Sequence, residues 1–570
     1  MYKHASLNRA YRLVWNDLRN AWIAVAEFCS ARGKRGRAVA LAAGVALAGA
    51  VGGAAMAAPN DALPTGGVVA AGQASIATNG ARMDVNQTTA SAVVNWQSFN
   101  VGSQAHVNFA QPDASSVILN RVVGSDASAI YGRITANGHV FLTNPSGILF
   151  APGAQVDVGG LVASSLGISD ANFLAGRYVF QKDGAAGQVT NQGTINAASG
   201  GYVALIAPQV ANSGTIAAPS GSVGLAAGER VALDFDHDGL LTFQVDVAAA
   251  SARVDNTGLL LADGGRVVMS AQAKDALLST VLNNEGVVRA RSIESRNGEI
   301  WLGGGNSGVV SVTGTLDASG TEAGQHGGTV KVLGDKVGLF ADARVDVSGV
   351  GAGGTALIGG NWQGKGPEQN ASATYVGKDV TIKADAIGTG DGGKVVAWAD
   401  GVTRFFGSIF ARGGNSAGNG GSVETSGKSA LAFDGKVNTS AAHGTTGTLL
   451  LDPTNLTISN TAAGTGSLDT QFSTTTPGII AFGNGAAAES VSAGALEALA
   501  AGTNIDLQAT NSITIAALTT AGKGGTNAEL TLDQTGTVKF RAGAGGFSMA
   551  ATDKINMTGG GALTIDMLGA

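Results

Sequence analysis

Short runs of alternating apolar and polar residues recur along this chain, and glycines bound them. Val330 and Val332 flank Lys331, Val345 and Val347 flank Asp346, and Val380, Ile382 and Ala384 flank Thr381 and Lys383. A period of two over so few residues predicts short β-strands with one small apolar face and one polar face. Paired glycines launch several of them: Gly200-Gly201 before Tyr202 to Ala207, Gly264-Gly265 before Arg266 to Ser270, Gly327-Gly328 before Thr329 to Leu333, and Gly392-Gly393 before Lys394 to Trp398. A second phrase runs beside the first. It begins at Asn191 (Asn-Gln-Gly-Thr-Ile-Asn-Ala), Asn212 (Asn-Ser-Gly-Thr-Ile-Ala-Ala), Asn256 (Asn-Thr-Gly-Leu-Leu-Leu-Ala) and Asn284 (Asn-Glu-Gly-Val-Val-Arg-Ala), with starts 21, 44 and 28 residues apart.

A repeat of roughly 20 to 28 residues is the period of stacked coils. Each strand is too short to stand alone, but coils stacked ~4.8 Å apart pair every backbone group with the coil above and below. The pattern therefore predicts an all-β protein, a parallel β-helix. At about 22 residues per coil, the chain beyond residue 58 would form a rod roughly 110 Å long.

Composition agrees. Glycine accounts for 88 of 570 residues and proline for 10, which fits many tight turns that need positive φ and excludes a collagen-like or Pro-rich disordered chain. Aromatic residues are 5% and charged residues 13%, a mix suited to a thin interior of small side chains. The first 58 residues hold 8 of 35 Lys and Arg and 2 of 41 Asp and Glu, so the remainder has a net charge of −12. Nucleic acid is excluded as a partner on that balance.

Residues 1–58 are a targeting segment. Arg32, Lys34, Arg35 and Arg37 precede an uncharged Ala/Val/Leu/Gly run that ends in Ala55-Met-Ala57-Ala58, a small-residue cleavage pattern. A retained membrane anchor is the alternative for about 20 uncharged residues. Cys29, the one cysteine, lies in this segment, so the mature chain has no disulfide and depends on coil stacking. The stretch ahead of the run, with Tyr11-Arg-Leu-Val-Trp-Asn16 and Ala24-Val-Ala-Glu27, resembles the extended signal peptide of large exported proteins of Gram-negative bacteria.

Residues 85 to 170 carry the most specific resemblance. Val94-Asn-Trp-Gln-Ser-Phe-Asn-Val-Gly102, Asn120-Arg-Val-Val123, Ile130-Tyr-Gly-Arg-Ile134, Gly138-His-Val-Phe-Leu-Thr-Asn-Pro-Ser-Gly-Ile148 and Gly159-Gly-Leu-Val-Ala-Ser-Ser165 are similar to the secretion domain of the filamentous haemagglutinin family. Farther along, Gly353-Gly-Thr-Ala-Leu-Ile-Gly-Gly360, Gly392-Gly-Lys-Val-Val-Ala-Trp-Ala399, Gly420-Gly-Ser-Val-Glu-Thr-Ser-Gly427 and Leu449-Leu-Leu-Asp-Pro-Thr-Asn-Leu-Thr-Ile458 resemble the high-molecular-weight, non-pilus adhesins of that family. The resemblance implies a right-handed parallel β-helix and a two-partner secretion exoprotein. It implies passage through the Sec translocon and the periplasm, and then through an outer-membrane barrel partner that reads the N-terminal domain. Destination is the cell surface or the medium, and the implied partner there is a receptor or glycan on a host or neighbouring cell. The resemblance also implies a secretion motif at Asn144, Pro145, Ser146 and Gly147, where the family has Asn at the third position. Chemically the tetrapeptide is a type I β-turn, which on the bland reading shapes the coil without touching any pore.

The organisation read from these features is a signal segment 1–58, a secretion domain 59–310, a β-helical repeat region 311–460, and a Gly/Thr/Ala-rich β repeat region 461–570. The last region closes inside a Gly-rich phrase and is read as a fragment. Two other functions of the same secretion class remain open, the stalk of a contact-dependent inhibition toxin and a haem-acquisition exoprotein.

Candidate chemistry is sparse. Asp234, Asp236 and Asp238 fit the first half of an EF-type calcium loop, but position twelve falls on Val245, so a turn held by carboxylate-to-backbone bonds is the reading and no metal or other cofactor is assigned. Acids such as Asp317, Asp335, Asp346 and Asp379 are spread about one per coil, as solvated turn residues, so no catalytic residue is assigned and no enzyme is expected. Trp362 and Trp398 are candidate exposed ligand platforms, weighed against ordinary packing. Cleavage after Ala57 or Ala58 is expected, and N-terminal mass analysis of exported protein checks it; an intact Met1 would refute the assignment.

Overall fold

The structure is a computed structural model that describes residues 59–570, except 237–238, 274–279, 295, 461–489, 520–522, 524–527 and 568–570, together with the backbone of Tyr11–Asn16 and Ala21–Ala26. Residues up to Ala57 and residues from Ala58 form separate compact units. In the first unit the two strands pair antiparallel, with Tyr11 opposite Ala26. The cleavage residues Ala57 and Ala58, and Cys29, lie outside the described residues.

In the second unit each coil gives one strand to each of three ladders. Tyr202–Ala207, Gln209–Asn212 and Thr215–Ala217 make one coil, and Ser222–Ala227 then lies on Tyr202–Ala207 with Tyr202 opposite Ser222 and Val203 opposite Val223. Among the described residues the ladders hold 17, 15 and 14 strands. All pairings within them are parallel except at the start, where Val68–Ala71 lies antiparallel to Ser91–Trp96, and Ala74–Asn79 to Arg82–Gln87. Those two strands cover the first coil, whose edge would otherwise offer unpaired N–H and C=O groups. The fold is the parallel β-helix that the repeat predicts, and nearly helix-free.

The repeated asparagines line one corner of this solenoid. Asn191, Asn212, Asn256 and Asn284 are all buried, and each side-chain amide donates to the carbonyl of the next: Asn191 to Asn212, Asn212 to Asn256 and Asn256 to Asn284, each at 2.8 Å. Two residues after each, the glycine stands where a Cβ would strike the coil beneath. At Gly214 it would lie 2.1 Å from the Gly193 carbonyl oxygen, and at Gly258 and Gly286 2.2 Å from that of Gly214 and Gly258. The phrase Asn-x-Gly thus joins an interior amide ladder to a corner without room for side chains.

The 44-residue spacing is one coil rather than two. Asn212 contacts Asn256 directly, because the chain between them leaves the solenoid as the hairpin Arg230–Phe235 and Leu241–Val247. The hairpin joins Tyr178–Gln181 in a three-stranded antiparallel sheet on the outer face of the 17-stranded ladder. A short helix, Asp170–Leu174, lies beside it; Ser169 caps it, and Arg121 holds it by an ion pair with Asp170 and a 2.9 Å bond to the Ile168 carbonyl. Phe141, Phe173, Phe180, Tyr202, Leu233 and Phe243 belong to the second core this cover creates. Here the expectation of one polar strand face fails: every residue of Tyr202–Ala207 and of Ser222–Ala227 is buried.

A second expectation also needs correcting. Of the first glycines in the four pairs, Gly200 and Gly264 take positive φ, at 78° and 71°, whereas Gly327 and Gly392 do not. What all the pairs share is contact. The second glycine of each sits on a column in which a Cβ at Gly221 or Gly265 would lie 1.9 Å from the carbonyl oxygen of the coil before, and at Gly328, Gly354, Gly393, Gly421 and Gly447 2.1 Å. Asp317 is likewise no solvated turn residue; it is buried and binds Arg291 at 2.7 Å and the Ser319 N–H at 3.1 Å.

The ladder yields a test. Asn212→Asp removes the donor to Asn256 and buries a carboxylate beside its carbonyl oxygen, which is expected to cost about 2–5 kcal/mol. Asn283→Ser, on the half-buried outward-facing position beside the ladder, loses one bond to Glu285 and buries no charge, and is expected to stay within about 1 kcal/mol. Urea midpoints of the two variants check the difference.

Candidate functional site

The predicted secretion motif forms the corner between His139–Thr143 and Ile148–Phe150. Gly147 N–H donates to the Asn144 carbonyl at 2.9 Å and closes the turn, and the Asn144 side-chain oxygen accepts from Ser146 N–H at 2.9 Å. The four residues divide by exposure. Asn144 and Gly147 are buried, while Pro145 and Ser146 are exposed.

Neighbouring coils hold the turn from both sides. Asn144 Nδ2 donates to the Asp126 carbonyl and to Ser128 Oγ, both at 2.9 Å, and Ser146 Oγ donates to the Ser125 carbonyl at 2.6 Å. From the other side, Gly187 N–H donates to the Pro145 carbonyl at 2.7 Å and Ile148 N–H to the Gln188 carbonyl at 3.0 Å. Gly147 has φ 107°, and a Cβ there would lie 2.8 Å from the Gln188 carbonyl oxygen. A side chain at 147 thus meets both a left-handed backbone and a close contact, so its cost exceeds the 1–2 kcal/mol of the backbone alone.

Other motif residues pair with one another. Trp96 Nε1 donates to Asn120 Oδ1 at 3.0 Å in the interior, and Asn120 Nδ2 to the Phe141 carbonyl at 3.3 Å, so the segments beginning at Val94, Asn120 and Gly138 make one buried chain of bonds. Sequence spacing gave no sign of that chain.

The aspartates of the half calcium loop separate. Asp234 Oδ1 accepts from Phe235 N–H at 2.8 Å, Asp236 pairs with Arg266 at 2.5 Å and closes the hairpin turn with Leu240 and Gly239, and Asp238 lies outside the described residues. Among the described residues no group of three His, Cys, Asp or Glu is placed to hold a metal.

A further built region lies on the outer face of the 17-stranded ladder, under the excursion 360–371. Trp398 is buried there rather than exposed, packed with Leu357 and Val396 beneath the half-buried Trp362. Gln363 takes φ 52° and ψ 29°, and its N–H donates at 2.7 Å to Glu424 Oε2. Its side chain donates to Asp452 at 3.2 Å. Burial pushes the fully buried Glu424 carboxyl up to about 7, with Asp452 pushing the same way and the Gln363 N–H, Ser426 and Lys394 opposing. Sequence reasoning missed this site, because Glu424 falls in a strand where only the distant excursion decides that it is covered.

The geometry is that of a known class. Residues 55–332 match the family described as the TPS secretion domain, and residues 8–56 the extended signal peptide of the type V secretion system. Residues 55–332 thus form a two-partner secretion exoprotein domain, and together with the extended signal peptide they indicate export across the outer membrane. The solved HMW1 secretion domain from Haemophilus influenzae superposes with a TM-score of 0.61 at 29% identity, covering 68% of this chain and 100% of that one. A heme/hemopexin-binding protein of H. influenzae is 34% identical over 249 residues, which are 42% of this chain and 27% of that protein. Another H. influenzae protein of the same description is 30% identical over 246 residues, 40% of this chain and 26% of its own length. The match thus spans about a quarter of either curated relative.

Glu424 yields a pH prediction. Its folded-state pKa is raised, so the folded chain holds the proton more tightly than the unfolded one. The associated stability is present below about pH 4.5 and is lost as pH rises through about 7. Between pH 5 and 8 the protection of amides 361–370 against hydrogen exchange is expected to fall by up to about 3 kcal/mol. Glu424→Gln, which keeps an acceptor for Gln363 N–H, is expected to remove most of that slope.

Proposed function

We propose that the chain acts as an adhesin-type exoprotein. The Sec translocon delivers it to the periplasm, an outer-membrane barrel partner recognises its N-terminal domain, and at the surface it binds a receptor or glycan on a host or neighbouring cell. The observation that carries this reading is the match of residues 55–332 to the secretion domain, supported by the likeness to the HMW1 domain. Its activity is binding rather than catalysis, in keeping with the dispersal of its carboxylates into ion pairs such as Arg291–Asp317, Arg412–Asp385 and Arg289–Asp263. A second reading, uptake of haem or hemopexin by the same export route, is favoured by the names of the two curated relatives.

Co-expression with and without the barrel partner tests the export step. Release into the medium with the partner, and accumulation in the periplasm without it, are expected; release that ignores the partner refutes the reading. The turn adds a finer test. Asn144→Asp and Gly147→Val attack buried positions and are expected to loosen the coil as well as block release, whereas Ser146→Tyr changes an exposed position. If the barrel touches the turn, Ser146→Tyr blocks release while the protease resistance of the folded domain is unchanged. Normal secretion of that variant would make the turn scaffolding alone.

A further inference from the structure

Two open clefts of about 440 Å³ and 470 Å³ adjoin on the outer face of the 17-stranded ladder and share Thr355 and Lys394. Both volumes lie in the range of small-molecule sites. The floor of the larger is bare backbone, because Gly354, Gly393 and Gly421 belong to the column where stacking leaves no room for a Cβ. Beside it stands Trp362, on the excursion 360–371. The excursion is fixed in place: Asn361 accepts from Trp362 N–H at 2.7 Å and donates to Glu368 at 2.7 Å, Asn370 donates to the Gly364 carbonyl at 2.9 Å, and Gln363 is bound to Glu424. A pre-positioned indole beside a flat floor suits the apolar face of a sugar ring, since an aromatic ring gives a rigid apolar platform at low entropic cost.

Charge decides what kind of sugar. Each charged group lining the clefts already has a partner: Glu299 pairs with Arg266 at 2.7 Å and Lys331 with Glu368 at 3.3 Å, Lys394 donates to Asn361 at 3.0 Å, and Asp391 accepts from Asn419 N–H at 2.6 Å. An anionic ligand would have to displace Glu368 from Lys331, and Lys394, whose partner is the neutral Asn361 side chain and whose ammonium lies 5.7 Å from the Trp362 ring centroid, offers it a single cation against Glu299 and Asp391. Hydroxyl groups can share these donors and acceptors without displacing any. The glycine column from Gly298 to Gly421 crosses five coils, about 20 Å, enough for roughly four hexose units laid along the stack.

We propose that this face binds a neutral oligosaccharide, one hexose stacked on Trp362 and its neighbours bonded along the cleft by Thr355, Lys394, Asp391 and Ser422. The assignment rests on the adhesin reading and gives it a ligand class. Isothermal titration of the full secreted chain with neutral glucose, galactose and mannose hexamers, and with an acidic polyuronate hexamer for comparison, tests it. At least one neutral hexamer is expected to bind and the acidic one not. Trp362→Ala is expected to weaken binding at least tenfold, and Ser422→Trp, which fills the cleft from an exposed position and removes none of the bonds that fix the excursion, to abolish it, each with an unchanged circular dichroism spectrum. Failure of every neutral hexamer, tighter binding of the acidic one, or binding indifferent to both variants would overturn the proposal. If cells adhere to the chain all the same, the adhesin reading stands and this site assignment falls.

Discussion

Everything in this solenoid answers to the distance between one coil and the next. Strands pair across coils at about 4.8 Å, and where the chain turns a corner the backbones must approach as closely as they do along the strands. A Cβ at the stacked glycines would lie about 2 Å from a carbonyl oxygen of the preceding coil, well inside any tolerable contact, so the corner column from Gly201 to Gly447 is closed to every other residue. The asparagine ladder answers the same spacing with the opposite device. Side chains repeated at one strand interval can bond head to tail, and a buried amide that does so leaves neither its donor nor its acceptor unmet. Glycine columns and amide ladder are therefore two consequences of one constraint.

The constraint also decides where anything other than scaffolding can be placed. Among the described residues the interior is one packed column, mostly Val, Leu, Ile and Ala with larger side chains such as Trp96 and Phe405 among them, and the coil cannot lengthen without breaking register. Extra residues have to leave at a corner and return to the same corner. The helix and three-stranded sheet between Ser169 and Val247 and the excursion 360–371 do this, and both fold back onto the outer face of the 17-stranded ladder. Covering that face turns positions that would be solvated into buried ones, which is how Tyr202 and Phe141 enter a second core and how Glu424 comes to carry a carboxyl with no exposed surface. Chemistry in this molecule arises where an excursion meets the ladder.

What was legible in the sequence follows the same division. The strands after the glycine pairs, the coil period and the turn at Asn144 could be read because each is stated within a few consecutive residues and then repeated. The excursions could not, since nothing local separates a hairpin that leaves the stack from a coil that continues it; the 44 residues between Asn212 and Asn256 look like two periods and are one. Trp398 was misjudged as exposed for that reason, because its cover comes from a loop some thirty residues earlier. Glycine was half understood: flexibility explains Gly200 and Gly264, but at Gly327 and Gly392 the missing side chain matters more than the φ angle.

The turn at residues 144–147 shows how far a motif can be carried over by resemblance. Its two buried members are bound by other coils: Asn144 by Asp126 and Ser128 of the preceding one, and Gly147 by its closeness to Gln188 of the following one. Local bonds close the turn, and the stacking of three successive coils fixes it in place. A partner that recognises the shape must therefore meet folded coils, and to such a partner the buried amide of Asn144 is invisible while Pro145 and Ser146 are on display. A partner that binds the chain before it folds would meet the four residues as sequence, and the third position, Ser here, would count as much as the first. Substitutions at the buried and exposed members thus separate a requirement for folding from a requirement for contact, which the motif taken as a unit cannot do.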